Sequence, residues 1–438
     1  MGLQTEGARP DRDARALHAA ADDVAAVAAQ RQEGGAPIGP LDGVVVADFS
    51  RVLSGPWCTM TLGDLGADVI KVERPGTGDE TRGWGPPFAG GESAYYLSTN
   101  RNKRSVEFDL ARADHREAAE RLVKRADVVI ENFRPGTMDR LGLGEAACRA
   151  LNPSVVYASI TGFGLSGPAR DRPGYDFTLQ GIGGLMSITG EPDGDPEKVG
   201  VAISDITAGL YSAIGILAAI RHRDRTGEGQ RVHVSLLGSQ VAWLANQAGN
   251  YLNGGLQPTR MGNAHPNIVP YQVFHASDEP FVVAVANETI WHRFCAAIAR
   301  GELADDPRFA TNAERVANRV ALTDDLARVF AEQPRATWLA SLDAAGVPCG
   351  PINTIADVFA DEQVRALGLV EEIPHPSAGA IRLVRPPFEL DVTPAETRRH
   401  PPLRGEHTAD VLRELGYAED EVRALMADKP SETGRPPG

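Results

Sequence analysis

From Leu41 onward the chain alternates short β-branched runs with polar or amphipathic helical stretches, and no other feature restricts its fold so strongly. The runs fall at 44–49, 69–72, 105–108, 128–130 and 155–160, each bounded by turn residues. Runs this apolar suit strands buried on both faces, and helix-like segments at 56–65, 113–125 and 138–150 separate them. Strands joined through helices run parallel, so the pattern predicts an α/β protein with a parallel sheet and helices on its faces.

Further along, the spacing predicts a helix over 206–223 that ends at Gly227-Glu228-Gly229, a strand at 230–234 and a helix over 236–251. A loop-rich stretch, 253–270, then leads to a strand pair at 271–275 and 281–285, followed by helices to about 345. Residues 225–335 therefore read as a smaller α+β domain. Residues 1–38 hold six acids (Glu6, Asp11, Asp13, Asp22, Asp23, Glu33) against four arginines, unlike a transit peptide, and are expected to be a flexible extension. The end, 429–438, is expected to be a disordered tail.

Charge excludes some functions. The 438-residue chain carries 59 acidic and 44 basic residues, and the basic ones are scattered, so nucleic acid is not an expected partner. A phosphate-bearing ligand is still compatible, because a local group of cations and N–H donors outweighs a distant field inside a cleft. Cys58, Cys148, Cys295 and Cys349 form no C-x-x-C pair, which suggests a reducing cytoplasm and no metal site. The apolar stretch 208–220 is shorter than a membrane span and includes Gly, Ser and Tyr, so no membrane partner is expected.

Familiar enzyme motifs are missing. The first strand is followed by Ser50-Arg51-Val52-Leu53-Ser54-Gly55-Pro56 where a dinucleotide enzyme would carry G-x-G-x-x-G, and neither a P-loop nor a G-x-S-x-G elbow occurs. The loop from Lys71 to Trp84, with Arg74 and several glycines, suits an aromatic-headed phosphate ligand, because guanidinium both pairs with phosphate and stacks on a base. A second basic loop, Asn100-Arg101-Asn102-Lys103-Arg104-Ser105, precedes the third strand.

The ordered series identifies a family. Leu65-Gly66-Ala67-Asp68-Val69-Ile70-Lys71-Val72-Glu73, Asn102-Lys103-Arg104-Ser105, Glu131-Asn132-Phe133-Arg134-Pro135-Gly136, Gly174-Tyr175-Asp176, Asp205 with Gly209, Gly262-Asn263-Ala264-His265-Pro266 and Gly405-Glu406-His407-Thr408 resemble the CaiB/BaiF family of class III CoA-transferases in order and spacing. The segment from Gly262 through Phe274 looks closest to its succinyl-CoA:dicarboxylate branch, such as glutarate CoA-transferase. The resemblance implies a Rossmann-like large domain built from 39–224 and 336–428, with 225–335 inserted. It also implies a homodimer of interlocked subunits.

Chemistry follows from the same resemblance. Asp205 matches the family's nucleophile, which attacks an acyl-CoA thioester, becomes a mixed anhydride, and is reopened by CoA thiolate to an aspartyl-CoA thioester. Taken alone, an aspartate ahead of a helix is more simply a cap. Coenzyme A and acyl-CoA are then substrates, and no tightly bound cofactor is implied. Arg74, Asn132, Phe133 and Arg140 match CoA contacts; a family lysine falls on Ala111, so Lys103, Arg104 or Arg172 would supply that charge. A glutamine of formyl-CoA transferase falls on Leu53, which with Ser54, Tyr175, Asp176 and His265 forms the expected substrate set. The related racemases carry histidine where this chain has Tyr175, a poor base, which demotes the racemase reading. Racemase or isomerase activity, or CoA binding without catalysis, are the alternatives.

Overall fold

All five predicted runs become strands of one sheet in the computed structural model, which describes residues 39–427. They are β1 (Val45–Asp48), β2 (Asp68–Glu73), β3 (Lys103–Glu107), β4 (Val128–Glu131) and β5 (Val156–Thr161), joined by β6 (Arg231–Ser235). Every pairing in this sheet is parallel, in the order β3-β2-β1-β4-β5-β6. The order reverses between β1 and β4, as in doubly wound nucleotide-binding sheets.

Period-2 geometry explains why the runs are apolar throughout. Val46, Val69, Val128, Ile130, Val156 and Ile160 face one way and meet α1 (Ser54–Asp64) and the long α4 (Ile203–Thr226). Their neighbours Ala47, Ile70, Val106, Val129 and Tyr157 face the other way, onto α2 (Ala113–Arg125) and residues Val411, Leu412 and Val422 of the last two helices. Side chains alternate across a strand, so a sheet covered on both sides favours apolar residues throughout and admits a polar one such as Lys71 only where it is paired internally. The C-terminal segment is stitched to β3, with the His407 N–H donating to the Ser105 carbonyl at 2.9 Å and the Asn102 N–H to the Arg399 carbonyl at 3.0 Å. Both ends of the described chain thus build the large domain.

Two boundaries differ from the sequence expectation. β6 pairs with β5, so the chain past residue 225 still belongs to the large sheet. The inserted unit has its own core from Val269 to Val347, around Phe281, Trp291, Phe294, Phe330 and Trp338. Its sheet is antiparallel and ordered β9-β8-β7, with β7 (Tyr271–His275), β8 (Pro280–Ala284) and β9 (Cys349–Pro351). The second difference is α4, which runs over 24 residues and is long and apolar enough to cross a membrane by length and composition. Its buried face, including Ala208, Ala213, Ile216 and Ala219, instead packs in the core. The expectations for 1–38 and 429–438 lie outside the described residues.

Candidate active site

Ligands of doubly wound sheets bind beyond the carboxyl ends of the strands, where the strand order reverses. Here that position lies beyond β1 and β4, where the loop leaving β1 runs from Ser50 to Leu53. Side chains hold this loop from three sides. Asn132, just past β4, clasps one residue, accepting from the Arg51 N–H at 2.8 Å and donating to the Arg51 carbonyl at 2.7 Å. The Lys71 ammonium donates to the Ser50 carbonyl at 2.9 Å and pairs with Asp79 at 2.9 Å, both side chains being fully buried. Asp79 in turn accepts from the Val52 N–H at 3.2 Å. Burial works against the Lys71 charge, but Asp79, Asp48 and Glu73 outweigh it and keep the ammonium protonated. The same pairing holds Asp79 below the usual carboxylate range despite its burial.

Val52 has φ +67°, a left-handed conformation that a β-branched residue adopts only under constraint. The next turn starts α1, with Leu53 at its cap position and Ser54 as its first residue, both buried. Against α1 crosses α4, and Gly209 permits the close approach: a Cβ there would lie 2.6 Å from the Ser54 carbonyl oxygen. One turn before that crossing stands Asp205.

Asp205 is not a cap. Ala202 occupies the cap position of α4 with no side-chain bond, and Asp205 lies within the first turn. Its carboxyl is pushed up to about 7, mainly by burial and then by Asp176, while a hydrogen bond with the Ser54 side chain pulls it back. Asp176, at the start of α3 (Asp176–Ile182), accepts from the Ser204 N–H at 2.8 Å and from the Gln180 amide at 2.8 Å, so it is tied to the start of α4. Tyr95 feels the same charges: burial, then Asp205 and Asp176, push its hydroxyl up to about 12, so it stays a phenol and a hydrogen-bond donor. Its ring packs edge-on against Trp84 at 5.1 Å. Beneath Phe133, Glu131 is buried and pushed up to about 8, although the Phe133 N–H donates to it at 2.8 Å.

The other expected site residues divide into two groups. Asn132 and Phe133 stand just past β4, and the Arg51 guanidinium lies over the Phe133 ring at 4.7 Å. Arg74 is exposed just past the carboxyl end of β2. Arg140 is exposed, its guanidinium donating to the Thr137 hydroxyl at 3.0 Å, and Arg172 lies over the Phe163 ring at 5.0 Å. Tyr175 is exposed at the cap position of α3. His265, in the loop before β7, accepts from the Asn267 N–H at 3.1 Å, packs on Tyr271, and is held below its ordinary value by burial and Arg319.

Lys103 and Arg104 start β3 and turn into internal pairs; the Lys103 ammonium lies behind the β1–α1 loop, 3.7 Å from Asp48. Lys103 is buried, donating to the Pro56 carbonyl and the Asn100 side chain at 2.9 Å each, and burial brings it down to about 7 despite Asp48. Arg104 pairs with Asp68 and, at 2.7 Å, with Glu414. Their cationic character serves internal pairing, so the charge expected of them near a phosphate is not supplied there. Tyr95 is the site residue that sequence reasoning did not single out; Lys71, Asp79 and Trp84 lie in the loop read there as suiting the ligand, but not as a buried pair and a packing ring.

Fold and site together define an α/β protein with a doubly wound sheet and, beside its switch point, a carboxyl raised by burial. Residues 41–408 match the family described as CoA-transferase family III, and the chain belongs to that family. It is a class III CoA-transferase, as the CaiB/BaiF resemblance implied. Succinate–glutarate CoA-transferase of Agrobacterium fabrum is 47% identical over 382 residues, covering 86% of this chain and 96% of that protein. Human succinyl-CoA:glutarate CoA-transferase is 43% identical, covering 89% of each. Among solved structures, a CaiB/BaiF family protein from Brucella suis superposes with a TM-score of 0.76 at 48% identity, covering 86% of this chain and 99% of that one.

Proposed function

We propose that this enzyme transfers CoA between dicarboxylic acids, with a succinyl-CoA donor and a glutarate-like acceptor, and that Asp205 carries the transfer covalently. The desolvated Asp205 carboxylate at the switch-point crevice is the observation that supports the mechanism. The relatives' names support the substrate class. In the first step, the Asp205 carboxylate attacks the donor thioester carbonyl, and CoA leaves as thiolate. The thiolate then attacks the Asp205 carbonyl of the mixed anhydride, which frees the donor acid and leaves aspartyl-CoA thioester. The acceptor carboxylate attacks that thioester, and the returning thiolate opens the new anhydride at the acceptor carbonyl, restoring Asp205. The Ser54 hydroxyl and the Tyr95 phenol are the donors next to the developing oxyanions.

Arg74, Asn132, Phe133 and Arg140, near the carboxyl edge of the sheet, are the groups we assign to the nucleotide and pantetheine. No resident cofactor enters these steps. Exposed Leu210, Tyr211 and Ile214 on α4, with Phe177, Trp243 and Tyr251 on neighbouring segments, support burial against a second subunit. Four unpaired thiols accord with a cytoplasmic enzyme. Incubation with succinyl-CoA and glutarate, read by mass spectrometry, should give glutaryl-CoA and succinate, and Asp205→Ala should abolish exchange. Turnover by the Asp205→Ala protein would exclude the covalent route, and a fully active monomer by analytical ultracentrifugation would exclude the dimer.

A further inference from the structure

The Ser50–Leu53 loop is fixed by buried charges that take no part in the steps above. We propose that the Lys71–Asp79 pair is a positioning device for Asp205, clamping the β1–α1 loop so that the Ser54 hydroxyl is held against the nucleophile.

Five observations converge on this assignment. Asp79 is almost wholly buried, yet its carboxylate reaches past its own turn, where it accepts from the Thr81 N–H at 3.0 Å and the Thr81 hydroxyl at 2.7 Å, to take the Val52 N–H. Lys71, paired with it, takes the Ser50 carbonyl two residues earlier. Between those contacts, Asn132 takes both polar groups of Arg51. Val52 is held at φ +67°, which a valine does not adopt unless its surroundings over-determine it. Two residues after the strained position comes Ser54, whose carbonyl meets α4 at Gly209, one turn from Asp205, and whose hydroxyl favours the ionised Asp205 carboxylate. A buried ion pair is a poor way to gain stability, because desolvation offsets most of the attraction; its strength is geometric specificity. Here the specified geometry is the loop beneath the nucleophile.

This inference rests on Asp205 acting as the nucleophile, so the experiment includes an arm that tests that separately. Two variants loosen the clamp from opposite sides. Asp79→Asn removes the charge that partners Lys71. Val52→Pro leaves the buried pair intact but deletes the N–H that Asp79 holds and forbids positive φ. Asp176 and Tyr95, the other titratable groups coupled to Asp205, are unaltered in both. In each folded variant, kcat should fall at least about tenfold, with KM for acyl-CoA changing less than about threefold. The acid limb of the pH–rate profile should move upward, because Asp205 loses the bond that favours its ionised form. A folded Val52→Pro enzyme with wild-type kcat and acid limb would overturn the proposal, and so would a loss of activity with the limb unmoved, since that is what mere destabilisation produces. Asp205→Ala is measured alongside: if it stays active, the nucleophile assignment falls; if it is dead while both clamp variants are normal, only the present inference falls.

Discussion

Asp205 should make the protein less stable at the pH where it works, and Asp205→Asn should reveal the cost. The carboxyl rises from the ordinary aspartate value of 3.8 to about 7 on folding, chiefly through burial. Between those values the folded state holds a proton that the unfolded chain has released, so stability falls as pH rises through that window and stays low above it. At about 1.4 kcal/mol for each tenfold change in proton affinity, the ceiling is about 4 kcal/mol. Partial solvent access and relaxation around the side chain reduce this to about 2 kcal/mol. Asparagine keeps the shape and can still bond Ser54, but it carries no charge to desolvate. The variant should therefore unfold at a higher temperature than the wild type at about pH 8, with the gain shrinking steadily towards about pH 4, where the folded carboxyl is neutral and the unfolded one is roughly half protonated. Thermal unfolding by circular dichroism across that range, on protein also shown to be inactive, is the assay. An Asp205→Asn protein that is no more stable at about pH 8, or whose gain persists undiminished at about pH 4, would refute the claim that a desolvated charge sits at this position.

The remaining predictions concern the groups around it. The wild-type kcat/KM should rise with pH through about 7 as Asp205 ionises, and a profile flat from about pH 6 to 8 would contradict this. Gly209→Ala puts a methyl group against the Ser54 carbonyl, costing about 1–3 kcal/mol of stability and reducing kcat by about tenfold as α4 is pushed off α1; unchanged melting and kinetics would show that the helices can separate freely. Tyr95→Phe should lower kcat about tenfold or more with little change in KM, measured by initial rates. An effect under about twofold would place the phenol out of reach of the reacting atoms.

The sheet was legible because buried parallel strands require uninterrupted β-branched runs, and this chain supplies them with turn residues between. What remained hidden depends on distance along the chain. β6 looked like the opening of the inserted unit because α4 separates it from β5, and nothing local reveals which sheet a strand will join. Lys103 and Arg104 looked like a ligand-binding loop because their partners Asp48, Asp68 and Glu414 are remote in sequence. Asp205 was visible only through the family resemblance, since an aspartate near a helix start is locally indistinguishable from a cap. The structure separates the two readings by placing Ala202 at the cap and Asp176 on the Ser204 N–H. Tyr95 carries no local signal, and Asp79, within a loop read as ligand-binding, gave no sign of its burial against Lys71; only the packing on Trp84 and the buried pair make them part of a site.

The absence of a glycine-rich fingerprint now has a physical explanation. In a dinucleotide fold the first helix turns its free N–H groups towards a pyrophosphate, and glycines let that ligand approach the backbone. Here the corresponding helix, α1, begins Ser54-Gly55-Pro56, so one N–H is gone, and Leu53 and Ser54 are buried at its start. The start of α4 meets it there, brought into contact by Gly209. The positive ends of two helices therefore converge on a carboxylate that belongs to the protein itself. That field cannot undo the desolvation that raises Asp205, but it remains in place when negative charge moves from the carboxylate to the oxyanion of a tetrahedral adduct. On the mechanism proposed above, the crevice keeps its electrostatics while exchanging a bound phosphate for a built-in nucleophile, and the nucleotide end of CoA would then be held further out, by the arginines beyond β2 and β4.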